Sequence, residues 1–181
     1  MASETRPRAP DSLSALAAHR TARLILRPLV PGDAEALQAL SDEPAIAAAI
    51  PFIARPFTLA AARALIGKNG GGQDCFLGLW QRSGEALVGV VGLHLRGARD
   101  LEIGYWIGSG FRGQGYASEA GAAALERVDA LLPRRRVIAE CRPENLASRR
   151  VLEKLGFRPT GEPGTRPGRR LFARPAALNP S

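Results

Sequence analysis

The stretch Ile107-Gly-Ser-Gly-Phe-Arg-Gly-Gln-Gly-Tyr-Ala-Ser118 holds the residues whose types and spacing best suit chemistry. It leads from a strand-like segment into a helical one. Its four glycines, Gly108, Gly110, Gly113 and Gly115, remove side chains, so successive backbone N–H groups can point at one anion. A helix N-terminus behind them adds about half a positive charge. A pyrophosphate is the natural guest of such a turn. A plain strand-to-helix turn would have little use for four glycines followed by the small Ala117.

Three templates compete for that pyrophosphate. The nucleotide-binding pattern G-x-x-x-x-G-K-[ST] fails, because no lysine follows the glycines. A G-x-G-x-x-G occurs as Gly108-Ser-Gly-Phe-Arg-Gly113, with Glu140 ending the next strand as a ribose-binding acid would. Too little chain follows Glu140 to complete a dinucleotide-binding sheet. The third template, [QR]-x-x-G-x-[GA], is met by Arg112, Gly115 and Ala117.

The elements that must position this turn are legible in outline. Met1 to about Arg20 has no sustained period and reads as a flexible tail, with the domain spanning 21–175 and a short tail at 176–181. Thr21 to Val30 alternates like a strand. Helical runs follow from Asp33 through Leu40 and from Thr58 to Gly67. Cys75–Gln81, Ala86–Leu95 and Leu101–Ile107 read as an antiparallel meander. Tyr116–Leu132 is helical, with Ala117, Ala120, Ala124, Val128 and Leu131 on one face, and Pro133 ends it. Val137–Cys141 (strand), Leu146–Leu155 (helix) and Arg170–Ala173 (strand) complete the pattern, with room for a short strand near Arg158.

Composition narrows the function. A chain of 181 residues, 45% hydrophobic, suits one domain with a real core. No apolar run approaches the ~20 residues of a membrane-spanning helix, and no secretory signal is visible. A cytoplasmic protein without membrane contact is expected. Cys75 and Cys141 lack metal or redox spacing, and His19 and His94 are too sparse for a metal cluster, so no metal is expected. The net charge of +8 is almost wholly arginine, since Lys68 and Lys154 are the only lysines. That charge favours an anionic partner. A nucleic-acid-binding module would leave the glycine turn unexplained, so direct nucleic-acid binding is not expected.

Three motifs, in order along the chain, resemble the GNAT acetyltransferase superfamily, and within it the RimJ/RimL-like ribosomal-protein N-terminal acetyltransferases. Arg23-Leu-Ile-Leu-Arg-Pro-Leu is similar to that branch's first strand. Glu102-Ile-Gly-Tyr-Trp-Ile with Arg112 to Ala120 is similar to its fourth strand and cofactor turn. Asn145-Leu-Ala-Ser-Arg-Arg-Val-Leu-Glu-Lys-Leu-Gly-Phe157 is similar to its fourth-helix motif. The resemblance implies an α/β GNAT fold: a mixed, mostly antiparallel sheet of six or seven strands with helices on both faces. It also implies acetyl-CoA as cosubstrate and an amine acceptor, either a protein N-terminus or a small molecule. Direct transfer in a ternary complex follows from it, and a homodimer is implied by the branch alone.

Carried over residue by residue, the amides of Gly113, Gln114, Gly115, Tyr116, Ala117 and Ser118 would hold the pyrophosphate, with Arg112 beside it. Ile107 would pair its backbone with the pantetheine arm. Asn145 would bond that arm from the other side while also serving as a helix N-cap, and Arg150 would reach the nucleotide end. An α-amino group with a pKa near ~8 needs only a weak base. Glu102 is the candidate, with an arginine-paired strand carboxylate as the alternative reading and Glu140 as a second choice. Many members place a tyrosine on the fourth helix to protonate the leaving thiolate. No tyrosine lies there in this chain, and Ser148, one turn after Asn145, takes that role by resemblance to the RimL-like branch. Phe52, Phe57, Trp80 and Trp106 are candidates to line the acceptor pocket. The rival expectation is a catalytically weak domain that binds acyl-CoA as a sensor or serves protein contacts.

Overall fold

The computed structural model describes residues 11–84 and 86–174. The chain opens with β1 (His19–Arg20), an edge ribbon on β2 (Leu24–Pro28). The alternation in β2 buries Leu24 and Leu26. β3 (Asp74–Gln81), β4 (Leu87–Arg96) and β5 (Asp100–Ile107) then form the expected antiparallel meander. β4 is buried from Leu87 to Leu95, as a central strand covered on both faces must be.

Three helices cover one face: α1 (Ala34–Ser41), α2 (Pro44–Ala49) and α3 (Leu59–Gly67). Thr58 caps α3 by accepting from the Ala61 amide. Their core holds Leu37, Ile46, Phe57, Phe76 and Trp106. On the opposite face, α4 (Tyr116–Leu131) crosses over from β5 to β6 (Arg136–Cys141), which runs parallel to β5. Ala120, Ala124 and Val128 are buried as the period predicts, whereas Ala117 and Leu131 lie at the margin. α5 (Leu146–Lys154) packs closely beside α4, because Gly121 leaves room for Leu155. β7 (Arg158–Pro163) and β8 (Arg170–Arg174) close the sheet, whose order is β1-β2-β3-β4-β5-β6-β8-β7.

The fold class is the expected one, with three differences. Among the described residues the sheet has eight strands, not six or seven, because β1 and β7 both join it. α2 is an additional helix, started by Pro44, whose six residues are too short and too alanine-rich to show a period. The flexible-tail expectation fails for the stretch just before β1. Leu13 and Leu16 are buried in the α4-side core, the Leu13 amide donates to the Gly72 carbonyl, and Asp11 pairs with Arg135. The expectations for 1–10 and 175–181 lie outside the described residues. Leu13→Ala should therefore lower unfolding free energy by about 2–5 kcal/mol, as for other fully buried leucines. Chemical denaturation would read this, and a change below about 0.5 kcal/mol would mark the segment as peripheral.

One departure from regular pairing creates the site. β5 and β6 are in register at Asp100↔Arg136, Leu101↔Val137 and Glu102↔Ile138, and no further. Beyond that point β5 stays with β4 and β6 stays with β8, so the two parallel strands splay into a V.

Candidate active site

A cleft of about 560 Å³ occupies the V, lined by Ile103–Ile107 on one side and Ala139–Arg142 on the other. The backbone edge of β5 that β6 abandons faces into it. The glycine turn and the start of α4 form one end. Gly113 and Gly115 have φ of 74° and 82°, a left-handed backbone that glycine adopts without strain. The first intrahelical bond of α4 runs from the Glu119 amide to the Gly115 carbonyl. The amides of Tyr116, Ala117 and Ser118 precede it and remain available to a ligand. Residues of the turn and helix start, from Arg112 to Ser118, line the cleft, Gln114 excepted.

The turn is clamped from β2. Arg23 donates from Nη1 to the Gln114 carbonyl at 2.8 Å and from Nε to Glu119 at 2.7 Å, with its guanidinium 4.5 Å from the Tyr116 ring centroid. Glu119 also accepts from Thr21 Oγ1 and the Arg23 amide. Burial pushes the Glu119 carboxyl upward, but these donors outweigh it and hold it below the ordinary range. Gln114 contributes its carbonyl to Arg23 and its side chain to Gly110, which stiffens the turn. Arg112 folds back to donate to the Ile107 carbonyl at 3.0 Å, with Glu43 3.8 Å away. Its charge therefore sits at the turn while also bracing it.

Across the V, Asn145 caps α5 by accepting from the Ser148 amide at 3.0 Å. Asn145, Ser148 and Arg150 all line the cleft. Ser148 has an unforeseen companion. The Tyr105 hydroxyl, reaching over from β5, lies 3.0 Å from Ser148 Oγ and 3.1 Å from its carbonyl oxygen. Burial raises the phenol to about 12, against the opposing hydrogen bond with Ser148. Cys141 is also in the cleft, but burial raises its thiol, as it raises Cys75 to about 12. Neither sulfur is poised as a thiolate nucleophile.

A model of the Acetyltransferase (GNAT) domain matches residues 23–158. The chain belongs to the GNAT acetyltransferase family. The Bacillus subtilis N-acetyltransferase YnaD is 32% identical over 142 residues, covering 78% of this chain and 82% of the relative. Among solved structures, a GNAT-family acetyltransferase from Bacillus anthracis superposes with a TM-score of 0.75 at 29% identity, over 86% of this chain and 96% of that one. RimJ from Mycobacterium smegmatis, solved in complex with CoA-disulfide, gives a TM-score of 0.70 at 25% identity, over 83% and 80% of the two chains. This GNAT chain is accordingly an acyl-CoA-dependent N-acetyltransferase.

On the other side of the V the cleft continues beneath α2, where Ala45, Ile46 and Ala49 line it. Glu102 is there, but engaged: Oε1 accepts from Arg166 at 2.5 Å and Oε2 from Arg96 at 2.9 Å. Glu140 is likewise held, by the Thr165 amide and hydroxyl and by Arg166. Burial would raise Glu140, yet these bonds and the Arg166 charge leave it low. Phe52 and Trp106 line the cleft as expected. Phe57 and Trp80 do not: Phe57 is core, and Trp80 stacks under Arg27. Arg169 bridges the loop between β7 and β8 to the far end of α2, donating to the Ala49 carbonyl at 2.5 Å. No helix of the described residues is long and apolar enough to cross a membrane.

The sequence reading missed Tyr105, Arg166, Arg169 and the Asp74–His94 pair. Strand alternation held the signal for Tyr105, since it faces opposite to Glu102 and Trp106. Hairpin register held the signal for His94, which pairs directly with Glu102. Arg166 and Arg169 lie in an irregular loop whose path no period encodes.

Proposed function

We propose that this GNAT enzyme transfers an acetyl group from acetyl-CoA to a primary amine, directly, within a ternary complex. The observation that carries the proposal is the conjunction of a clamped, left-handed glycine turn with a V-shaped cleft open to a bare strand edge. These residues fit acetyl-CoA. The amides from Gly113 to Ser118 would take the pyrophosphate with Arg112 beside it, and Arg150 would reach the nucleotide. The edge of β5 at Ile107 and the side chain of Asn145 would hold the pantetheine arm from its two sides. The bound thioester supplies an activated acyl carbon and a thiolate leaving group.

The chain's own contribution is to orient and to move protons. Ser148 and Tyr105 share a hydrogen bond, so a proton given to the departing sulfur by one hydroxyl is replaced through the other. A serine alone is a poor acid, and the phenol beside it remedies that. Glu102, committed to two guanidinium groups, orders the acceptor side. Arg142, Arg166 and Arg169 outnumber Glu102 and Glu140 there. Burial and the neighbouring Arg166 and Arg142 pull the Arg169 guanidinium below its ordinary pKa. That excess of positive charge favours an acceptor carrying a carboxylate near its amine, such as an amino acid or an acidic protein N-terminus. The likeness to RimJ supports including protein N-termini.

Calorimetry with acetyl-CoA, followed by thiol-release assays over an amine panel, tests the proposal. The panel should pair alanyl tetrapeptides of acidic and basic sequence with small amines with and without a carboxylate. Micromolar acetyl-CoA binding and turnover of the acidic members ahead of their neutral and basic counterparts are expected. Binding without turnover of any amine would favour an acyl-CoA sensor.

A further inference from the structure

Three ionisable residues stand in a row across the sheet on its α2-facing side: Asp74 on β3, His94 on β4 and Glu102 on β5, each the direct cross-strand partner of the next. Of these, the middle one offers a nitrogen lone pair, which is ordinarily more basic than a carboxylate oxygen. Both Glu102 oxygens accept from guanidinium groups, and the Arg166 and Arg96 charges beside them would repel an incoming ammonium. His94 Nδ1 lies 2.6 Å from Asp74 Oδ1. A carboxylate can only accept, so Nδ1 carries the ring proton and Nε2 is left with its lone pair.

The surroundings aim that lone pair at the cleft. His94 is buried but lines the same cavity as Phe52, Gly104 and Trp106. Its Nε2 lies over Gly92, where a Cβ would come within 2.8 Å of it. Gly104, the cross-strand partner of Gly92, has open space where a Cβ would be. Two facing glycines thus floor a slot beside the imidazole, and Phe76 holds the ring edge-on at 5.2 Å. The charged groups that bear on the ring are Asp74 from β3, Arg96 from its own strand and Glu102 from β5, with Arg166 behind Glu102. Burial outweighs the Asp74 hydrogen bond and holds the imidazole below its ordinary 6.5. The ring is therefore neutral at physiological pH.

We infer that His94, oriented by Asp74, is the general base that deprotonates the acceptor amine. This rests on the acetyl-transfer reading above and names the group that reading lacks. One proton passes from the acceptor ammonium to His94 Nε2. The freed lone pair forms the N–C bond while the C–S bond breaks, its electron pair leaving on sulfur. The Ser148–Tyr105 pair protonates the sulfur and regains a proton shed by the nitrogen as the amide forms. His94 returns its proton to solvent. Asp74 is a positioning residue.

The test compares wild type, H94Q, D74N and E102Q, with saturating acetyl-CoA and an acidic alanyl tetrapeptide as acceptor. In wild type, kcat/KM should fall on the acid side with a midpoint below 6.5. That midpoint should match the titration of the His94 imidazole by proton NMR, which is readable because His19 is the only other histidine. H94Q should lose at least about 100-fold in kcat, the low end for a general base, and its acid limb should vanish. Its acetyl-CoA affinity by calorimetry should be unchanged, which shows that it is folded. D74N should lower kcat and move the midpoint, and E102Q should keep an acid limb, its midpoint shifted down because the Glu102 charge no longer favours the imidazolium. H94Q within threefold of wild type, or with the acid limb intact, overturns the assignment. Loss of that limb in E102Q instead would return the role to Glu102. Wild type failing to bind acetyl-CoA would defeat the acetyl-transfer reading itself, a separate result.

Discussion

Gly115→Glu should abolish acetyl-CoA binding, with affinity falling at least about 100-fold, or close to 2.7 kcal/mol. Three effects act together. Gly115 sits at φ 82°, so any side chain there is strained. Its Cβ would lie 3.4 Å from Arg23 Nη2, crowding the clamp. The new carboxylate would then compete for Arg23 and place negative charge where the pyrophosphate should sit. Gly115→Ala separates these contributions: it keeps the strain, adds no charge, and should lose much less. Calorimetry measures the affinities, and circular dichroism checks that the variants are folded. A Gly115→Glu protein that binds acetyl-CoA as wild type does would remove the turn from the cofactor site.

Tyr105→Phe should lower kcat by about 100-fold while leaving the acetyl-CoA KM within a few-fold, the pattern of a group acting in the transition state. The phenol is held at about 12 by burial, so it remains a proton donor across the whole assay range. It should therefore add no alkaline limb to the pH profile below pH ~10. Ser148→Ala should cost a similar factor. Because the two hydroxyls share one hydrogen bond, the double variant should lose little more than either single one. Rapid-mixing detection of released thiol would measure all three. Tyr105→Phe within threefold of wild type would leave proton delivery to Ser148 or water alone.

The parts of this site that were legible before the structure are local. The glycine turn declares itself because a strand, a left-handed bend and a helix start are consecutive in the chain. Asn145 and Ser148 are one helical turn apart and could be placed on one face by counting. Glu102 shows the limit. Its strand was readable, but the arginines that engage it come from the neighbouring hairpin end and from a loop far along the chain. An ion pair between distant segments leaves no period. Tyr105 escapes because the resemblance points to a helix for the thiolate's proton donor, whereas the structure supplies a hydroxyl from the strand opposite. Leu13 and Leu16 are hidden by their neighbours, since two leucines among alanine, serine and proline look like a tail until the α4-side core they enter is known.

The contact between Arg169 and the Ala49 carbonyl joins two segments 120 residues apart over the acceptor side of the cleft. Together with the sheet beneath, it closes a loop of chain beside the cleft, which an acceptor amine entering from the α2 side would have to pass. Whatever the acceptor is, exchange on that side must pass beside this one charged contact or break it. A side chain or a free chain end can slip beneath such a span, whereas a wide, folded surface meets it as an obstacle. Passage of a wider acceptor would require this contact to open, although it holds no reacting atom.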